Sequence, residues 1–407
     1  MNLLPLDRRA KFLLLVGLLV ASLAALPALP FMLPWGADLQ NVHAYVRCAH
    51  AKSPYLIGGA QCGDLWGRAF YYPPFLFHFF FWMRRLTLET TMRIWTVCLY
   101  LGFAAIFYLW TCQIVRQPLA EREGDRHEVP VFCVLLLFQY PFVFAVERGN
   151  TDTPAILFYT LAAFWFMRRR LGLAGAAAGL AAGFRLYPAL AVMVVTLALL
   201  LAGRAKDRRI DRWGWLRFGS GALGVFVATL LAFPRDSLTY LRNVLPGFAN
   251  TFTFPCEFSH SIPTYVGAEY PAFAVLIAIA LLGLWAWAGA RAIARGDDWW
   301  ALAGALAVST YNQRTSWDYN LITVYPLLVL LLLRARQTNR WALLAFGVFT
   351  IAGDRRLFTF PNAHFLTPQL QLALELAFLA ITALVVAGGD DIPAPAQVAL
   401  PESRPAQ

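Results

Sequence analysis

Residues 171–201 read LGLAGAAAGLAAGFRLYPALAVMVVTLALLL, with Arg185 as the one charge in an apolar run. Pro188 cannot continue a helix through its own position, so the run divides there. Two apolar helices back to back then form a hairpin. Each half is short for a bilayer core about 30 Å thick, which implies tilt or local thinning. Arg168-Arg169-Arg170 precede the hairpin, and a basic run from Arg204 to Arg217 follows it. Basic residues collect on the cytoplasmic side of a membrane. Both ends of the hairpin therefore lie inside, and its Arg185 tip faces out.

The same alternation of apolar blocks and short basic loops extends in both directions. The chain has 407 residues, 59% hydrophobic and only 14% charged, against about 25% charged in a soluble domain. No β-barrel alternation is visible, so backbone satisfied within lipid means helices. The reading is an all-α polytopic membrane protein with about 12 transmembrane helices. They are placed near 12–33, 94–115, 130–146, 153–168, 171–185, 187–203, 214–233, 271–294, 298–311, 320–334, 341–353 and 369–387. With the N-terminus inside, most of the 34 Lys and Arg fall on the cytoplasmic side. Residues 12–33 are too long for the apolar region of a cleaved signal peptide, so they are expected to remain as the first helix. The net charge of +11 comes from short clusters between apolar blocks, a topology signal and not a nucleic-acid patch.

Residues 72–83 are apolar but too few to span. Counting them as a span would turn the basic loops after 168 and 204 outward. They are expected to lie on or in the outer leaflet, where Tyr71, Tyr72, Trp82 and Arg84 suit an interface. Two outer loops are long, 34–93 and 234–270, and long ordered loops tend to be functional. One membrane domain over 1–388 is expected, with a Pro/Ala-rich disordered cytoplasmic tail over 389–407. Cys98, Cys112 and Cys133 read as apolar fillers. Cys48 and Cys62 share the first outer loop, where a disulfide is permitted. No cysteine spacing resembles a zinc site. No Walker motif, dinucleotide fingerprint or convincing internal repeat is present.

Polar residues on the outer side are the candidates for chemistry. Asp38 follows the first helix in Pro34-Trp35-Gly36-Ala37-Asp38. A carboxylate there can take a proton from a hydroxyl as general base. It can equally cap a helix over 39–51. Glu147-Arg148-Gly149-Asn150-Thr151-Asp152 forms a second polar turn. Glu147, Asn150 and Asp152 there are candidates for sugar contacts, unless the turn is merely solvated and Asp152 caps the next helix. Arg185 presents a fork of donors suited to phosphate oxygens, or it snorkels to headgroups. His260, in Glu257-Phe258-Ser259-His260-Ser261, binds phosphate or satisfies loop backbone. Arg314 is a further phosphate candidate. Trp317 either stacks on a sugar or anchors the interface.

At these residues the chain resembles glycosyltransferase family 87, within the membrane glycosyltransferases of the GT-C fold. The resemblance starts at Asp38, Tyr45 and Pro54-Tyr55 and continues through Tyr72-Pro73-Pro74. The 148–152 turn stands where that family often has Gly-Gln-x-Asn. Arg185-Leu186-Tyr187-Pro188 matches a Lys-x-Tyr-Pro element, and Ser316-Trp317-Asp318-Tyr319-Asn320 a late Ser-Trp element. The resemblance implies a GT-C fold and a sugar donor linked to polyprenyl phosphate, mannose or another hexose or pentose. It implies inversion at the anomeric carbon, with Asp38 as general base. Arg185, Arg314 and His260 would hold the donor phosphate, and Tyr45, Tyr72, Glu147, Asn150, Asp152 and Trp317 the sugar or acceptor. The acceptor would be a glycan or glycolipid. No cofactor is expected. With one convincing acid near the centre, no metal is expected either. The expected place is the inner cell membrane, with both termini cytoplasmic and the site on the outer face. Two other readings use the same residues: a flippase for a lipid-linked sugar, which needs no base, and a surface-polysaccharide polymerase or ligase.

Overall fold

The computed structural model describes residues 36–49, 53–64, 68–114, 128–203, 213–246, 260–267, 269–313, 316, 318–338, 340–352, 359–360, 363–364 and 368–389. The expected first helix, Arg314, Trp317 and the tail beyond 389 lie outside these residues. What is described is almost wholly helical. The sheet among the described residues is a two-residue antiparallel ladder pairing Thr359 with His364 and Phe360 with Ala363.

Each apolar block downstream of residue 87 forms a helix. By length and composition, four of the described helices can cross a membrane: Leu88–Ile114, Gly214–Leu231, Pro271–Arg295 and Gln369–Gly388. A fifth is reached if the pair Val129–Leu136 and Tyr140–Arg148, bent by 47°, counts as one span. Thr153–Met167, Leu171–Phe184, Tyr187–Gly203, Asn320–Arg334 and Trp341–Ile351 are apolar but shorter.

Three boundaries differ from expectation for identifiable reasons. The helix expected at 94–115 begins at Leu88. The Thr87 hydroxyl caps it by accepting from the Thr90 N–H at 3.2 Å, and the polar first turn hid this start from a hydropathy reading. The helix expected at 130–146 breaks after Leu136. Pro141 has no N–H to donate back to residue 137, so it is accommodated in the first turn of a new helix whose N-cap, Gln139, is extended (ψ 155°). The block near 320–334 opens as a tight 3-10 turn over Asp318–Val324 and becomes α-helical only at Tyr325, just before Pro326.

Helix packing follows residue size. Gly175, Gly179 and Gly183 repeat every fourth residue along Leu171–Phe184. A Cβ at Gly175 would lie 2.0 Å from the Phe218 carbonyl oxygen, and one at Gly179 2.2 Å from that of Ala222. The Leu171–Phe184 and Gly214–Leu231 helices therefore touch backbone to backbone, as small-residue stripes allow in membranes.

The main apolar core is built from the helices downstream of Phe103. It includes Trp110, Tyr159, Trp285, Leu306 and Phe378, all buried. A second, smaller cluster gathers Leu39, Val42, Tyr45, Phe70, Phe77, Phe80, Met92, Trp95 and Phe184. It belongs to the first long loop and the ends of the helices that pack against it. Residues 72–83 include a helix over Pro74–Phe79 and lead into a 3-10 turn over Phe80–Arg85, neither of which is among the helices long enough to cross a membrane. His78 stacks on Phe233 at 3.6 Å and bonds Asp236 at 3.0 Å, joining this segment to the second long loop.

Candidate active site

Two glycines assemble the site. Gly36 (φ 76°) precedes the helix Ala37–Cys48, and Gly149 (φ 64°) ends the helix Tyr140–Arg148. Left-handed φ values of this kind favour glycine. Space forbids a side chain as well: a Cβ on Gly36 would lie 2.4 Å from the Met92 sulfur, and one on Gly149 2.7 Å from the Leu39 Cβ. The two turns thus press together over Met92, and the Gly36 N–H donates to the Glu147 carbonyl at 2.6 Å. That contact sets Asp38 beside Arg148.

Asp38 is not a helix cap. It sits inside the first turn of Ala37–Cys48, and no side chain caps that helix among the described residues. Its carboxylate is buried, 3% exposed. Oδ1 accepts from Arg148 Nη2 at 2.6 Å, and Arg68 Nη1 stands 3.6 Å away. Oδ2 is buried with no hydrogen-bond partner among the described residues. Burial alone would raise the pKa of this group. Arg148, by charge and hydrogen bond, together with Arg68 and Arg185, outweighs burial and holds it below the ordinary carboxylate range.

Arg68 is itself held by Asp64. Its Nη2 donates to Asp64 Oδ1 at 3.0 Å and its backbone N–H to Oδ2 at 2.8 Å. Asn41 Nδ2 also donates to Asp64 at 3.2 Å. The Cys48–Cys62 disulfide is formed and ties the end of the Asp38 helix to the turn that leads into Asp64 and Arg68.

The second carboxylate, Asp152, expected as a sugar contact or a helix cap, is 1% exposed. It does not cap the following helix through its side chain. It forms an ion pair with Arg185 and accepts from Asn320 Nδ2 and, at 3.3 Å, from Asn150 Nδ2. Burial, with the charge of Asp38 adding to it, raises its pKa above the ordinary range despite Arg185 and Asn150. Arg185 also donates to the Thr151 hydroxyl at 2.8 Å, and its guanidinium lies 4.3 Å from the Tyr72 ring centre. Asp152 thus lies near enough to Asp38 to feel its charge, and Arg185 acts on both carboxylates.

The matching sequence model is that of glycosyltransferase family 87, over residues 70–313, more than half of the chain. The chain belongs to that family. This glycosyltransferase has no match among curated proteins. The matched stretch holds Tyr72, the 147–152 turn, Arg185 and His260. Asp38 and Tyr45 precede it, so their roles rest on geometry.

The remaining expected site residues fall in varied places. The Tyr45 hydroxyl donates to the carbonyls of Arg68 at 3.0 Å and Ile57 at 3.2 Å, so it braces the loop. Asn150 accepts from the Asp152 N–H at 2.7 Å, and its carbonyl accepts from Trp95 Nε1 at 2.8 Å. Glu147 enters through its backbone oxygen, described above. His260 is fully buried and pairs with Glu375 of the Pro368–Gly388 helix at 2.7 Å. Its backbone N–H donates to the Ser316 carbonyl at 2.6 Å.

Sequence reading passed over Arg68, Arg148, Asn320 and Glu375. Asp64 and Arg68 stand four apart, a spacing that flags a local ion pair. Glu375 is a lone acid in an apolar block, which marks it as needing a partner. Nothing in the sequence pairs Arg148 with Asp38, because that contact depends on two glycine turns far apart in the chain.

Proposed function

We propose that this glycosyltransferase moves a sugar from polyprenyl phosphate to a hydroxyl of a glycan or glycolipid on the outer face of the inner membrane. The observation that carries the reading is Asp38: a buried carboxylate with one oxygen held by Arg148 and the other without a partner among the described residues. A base needs one free lone pair and a fixed orientation, and Asp38 has both.

The step is an in-line displacement with inversion. The acceptor oxygen attacks the anomeric carbon while its proton passes to Asp38 Oδ2. The bond from that carbon to the phosphate oxygen breaks, and polyprenyl phosphate leaves with the electron pair. Such a leaving group carries its own negative charge and needs cations more than an acid. Arg185 is the proposed phosphate ligand, with Arg314 completing that role; His260, buried against Glu375, is instead proposed to brace its loop. Tyr72, Glu147, Asn150, Asp152 and Trp317 are the proposed sugar or acceptor side, and Tyr45 braces their loop. The Cys48–Cys62 bridge favours the outer orientation, since disulfides persist in oxidising compartments. The twelve-span GT-C architecture over 1–388, with cytoplasmic termini and a tail over 389–407, belongs to the same proposal.

The test is transfer of radiolabelled sugar from a panel of synthetic polyprenyl-phosphate sugars, mannose first, into membranes carrying wild-type protein or Asp38→Ala at equal expression. Transfer that collapses in the variant supports the reading and names the donor. Equal transfer by both removes Asp38 as the base. Donor crossing the bilayer with no transfer replaces the reading with a flippase.

A further inference from the structure

We propose that Arg148 is a positioning residue for Asp38: by gripping Oδ1 it fixes the carboxylate and leaves Oδ2 as the atom that takes the acceptor proton. The inference rests on the reading of Asp38 as base and adds a residue to it.

Arg148 is built to hold still. It is the last residue of the helix Tyr140–Arg148 and only 6% exposed. Its guanidinium lies 5.9 Å from the Phe144 ring centre. The turn behind it is fixed by the Asn150 N–H donating to the Ala145 carbonyl at 2.8 Å and by Trp95 on the Asn150 carbonyl. An arginine so placed presents a rigid donor to one carboxylate oxygen, which a lysine reproduces only in charge. The backbone contact between Gly36 and Glu147 places both partners on one frame. A reacting group displaced by about 1 Å can lose about 10²-fold in rate, so the grip on Oδ1 is worth keeping.

The charged and titratable groups facing Asp38 come from several elements. Arg148 comes from its helix, Arg68 from the loop after Cys62, and Arg185 from the hairpin tip. Tyr72 and Asp152 face it from the segment before Pro74–Phe79 and from the 147–152 turn. The Leu88–Tyr108 helix presents uncharged Met92. Arg148 is the largest of the cationic influences on Asp38. Without it, burial is opposed only by Arg68 and Arg185, and Asp38 is protonated at a higher pH than in the wild type. Protonated Asp38 cannot act as base, so the loss deepens as pH falls and is relieved as pH rises.

The experiment compares full-length wild type, Arg148→Lys, Arg148→Gln and Asp38→Asn in membranes, with polyprenyl-phosphate mannose or whichever donor the panel identifies. Rates are followed across pH. Arg148→Gln is expected to lose about 10²-fold at neutral pH, mainly in kcat with little change in donor KM, and to regain rate as pH rises. Arg148→Lys is expected to keep more rate and to shift its acid limb less. A glutamine profile parallel to wild type, with no alkaline recovery, overturns the inference and makes Arg148 merely structural. If the glutamine variant does not accumulate with its Cys48–Cys62 bridge, the lysine variant decides: an acid limb at the wild-type position overturns the inference. Asp38→Asn at the wild-type rate would remove the base reading itself, a failure distinct from that of Arg148.

Discussion

Asp38 and Asp152 are both buried carboxylates beside an arginine, yet their surroundings divide them. Asp38 has one oxygen on Arg148 and one oxygen with no partner among the described residues. Asp152 is engaged by Arg185, Asn150 and Asn320. The first is held low in pKa and the second is held high. Paired acids whose environments push them apart take different tasks. A carboxylate oxygen with no partner among the described residues suits proton transfer, whereas an ion-paired carboxylate suits holding an arginine in place. On the proposed reading, proton transfer falls to Asp38, and Asp152 holds Arg185, the proposed phosphate ligand, at the edge of the sugar site.

The largest expected effect is on rate. Asp38→Asn keeps the shape and removes the base, so transfer should fall by about 10²–10⁴-fold with the protein still folded. Asp152→Asn should cost stability first, because it takes the ion-pair partner from a half-buried Arg185. Breaking such a pair typically costs about 3–5 kcal/mol, read as a lower melting temperature in detergent. The comparison breaks if Asp152→Asn loses as much rate as Asp38→Asn while remaining folded.

A smaller effect sharpens the frame around Asp38. Removing the Cys48–Cys62 bridge by Cys48→Ser with Cys62→Ser opens a short loop, and a closure of this size is worth about 3 kcal/mol. Thermal unfolding should report that loss. The acid limb of the Asp38 rate profile should stay in place, since Arg148 and not the bridge sets it.

The smallest effect is in pH-dependent stability. Asp38 and Asp64 both lie below the ordinary carboxylate value of 3.8, burial being outweighed by their arginines. Their contribution is complete above that value and is lost as pH falls through their lowered values. Asp152, raised, works in the opposite sense and gives up its charge earlier on acidification. Asp38→Asn should therefore flatten the acid fall in stability, and Asp152→Asn should not.

Most of the helical plan was legible because apolar blocks and proline breaks are local signals. Residues 171–203 formed the expected hairpin, and the glycine spacing in it also explains its packing. The break at 137–139 leaves no mark in hydropathy, because composition on both sides is equally apolar. The site was legible only in part. Asp38 and Arg185 stand out as charges in apolar surroundings, but their partners do not. The grip of Arg148 on Asp38 and of Asn320 on Asp152 joins residues more than a hundred positions apart. Only the fold brings these together, through turns at Gly36 and Gly149 whose importance lies in their space and backbone angle.

The most direct test sets the two carboxylates against each other in one measurement: initial rates of sugar transfer from polyprenyl phosphate by purified Asp38→Asn and Asp152→Asn proteins in liposomes, at equal folded amounts. A near-complete loss in Asp38→Asn with a rate within about tenfold of wild type in Asp152→Asn is the predicted result, the gap matching a lost base. Equal losses, or a surviving Asp38→Asn enzyme, would contradict the assignment of the base to Asp38.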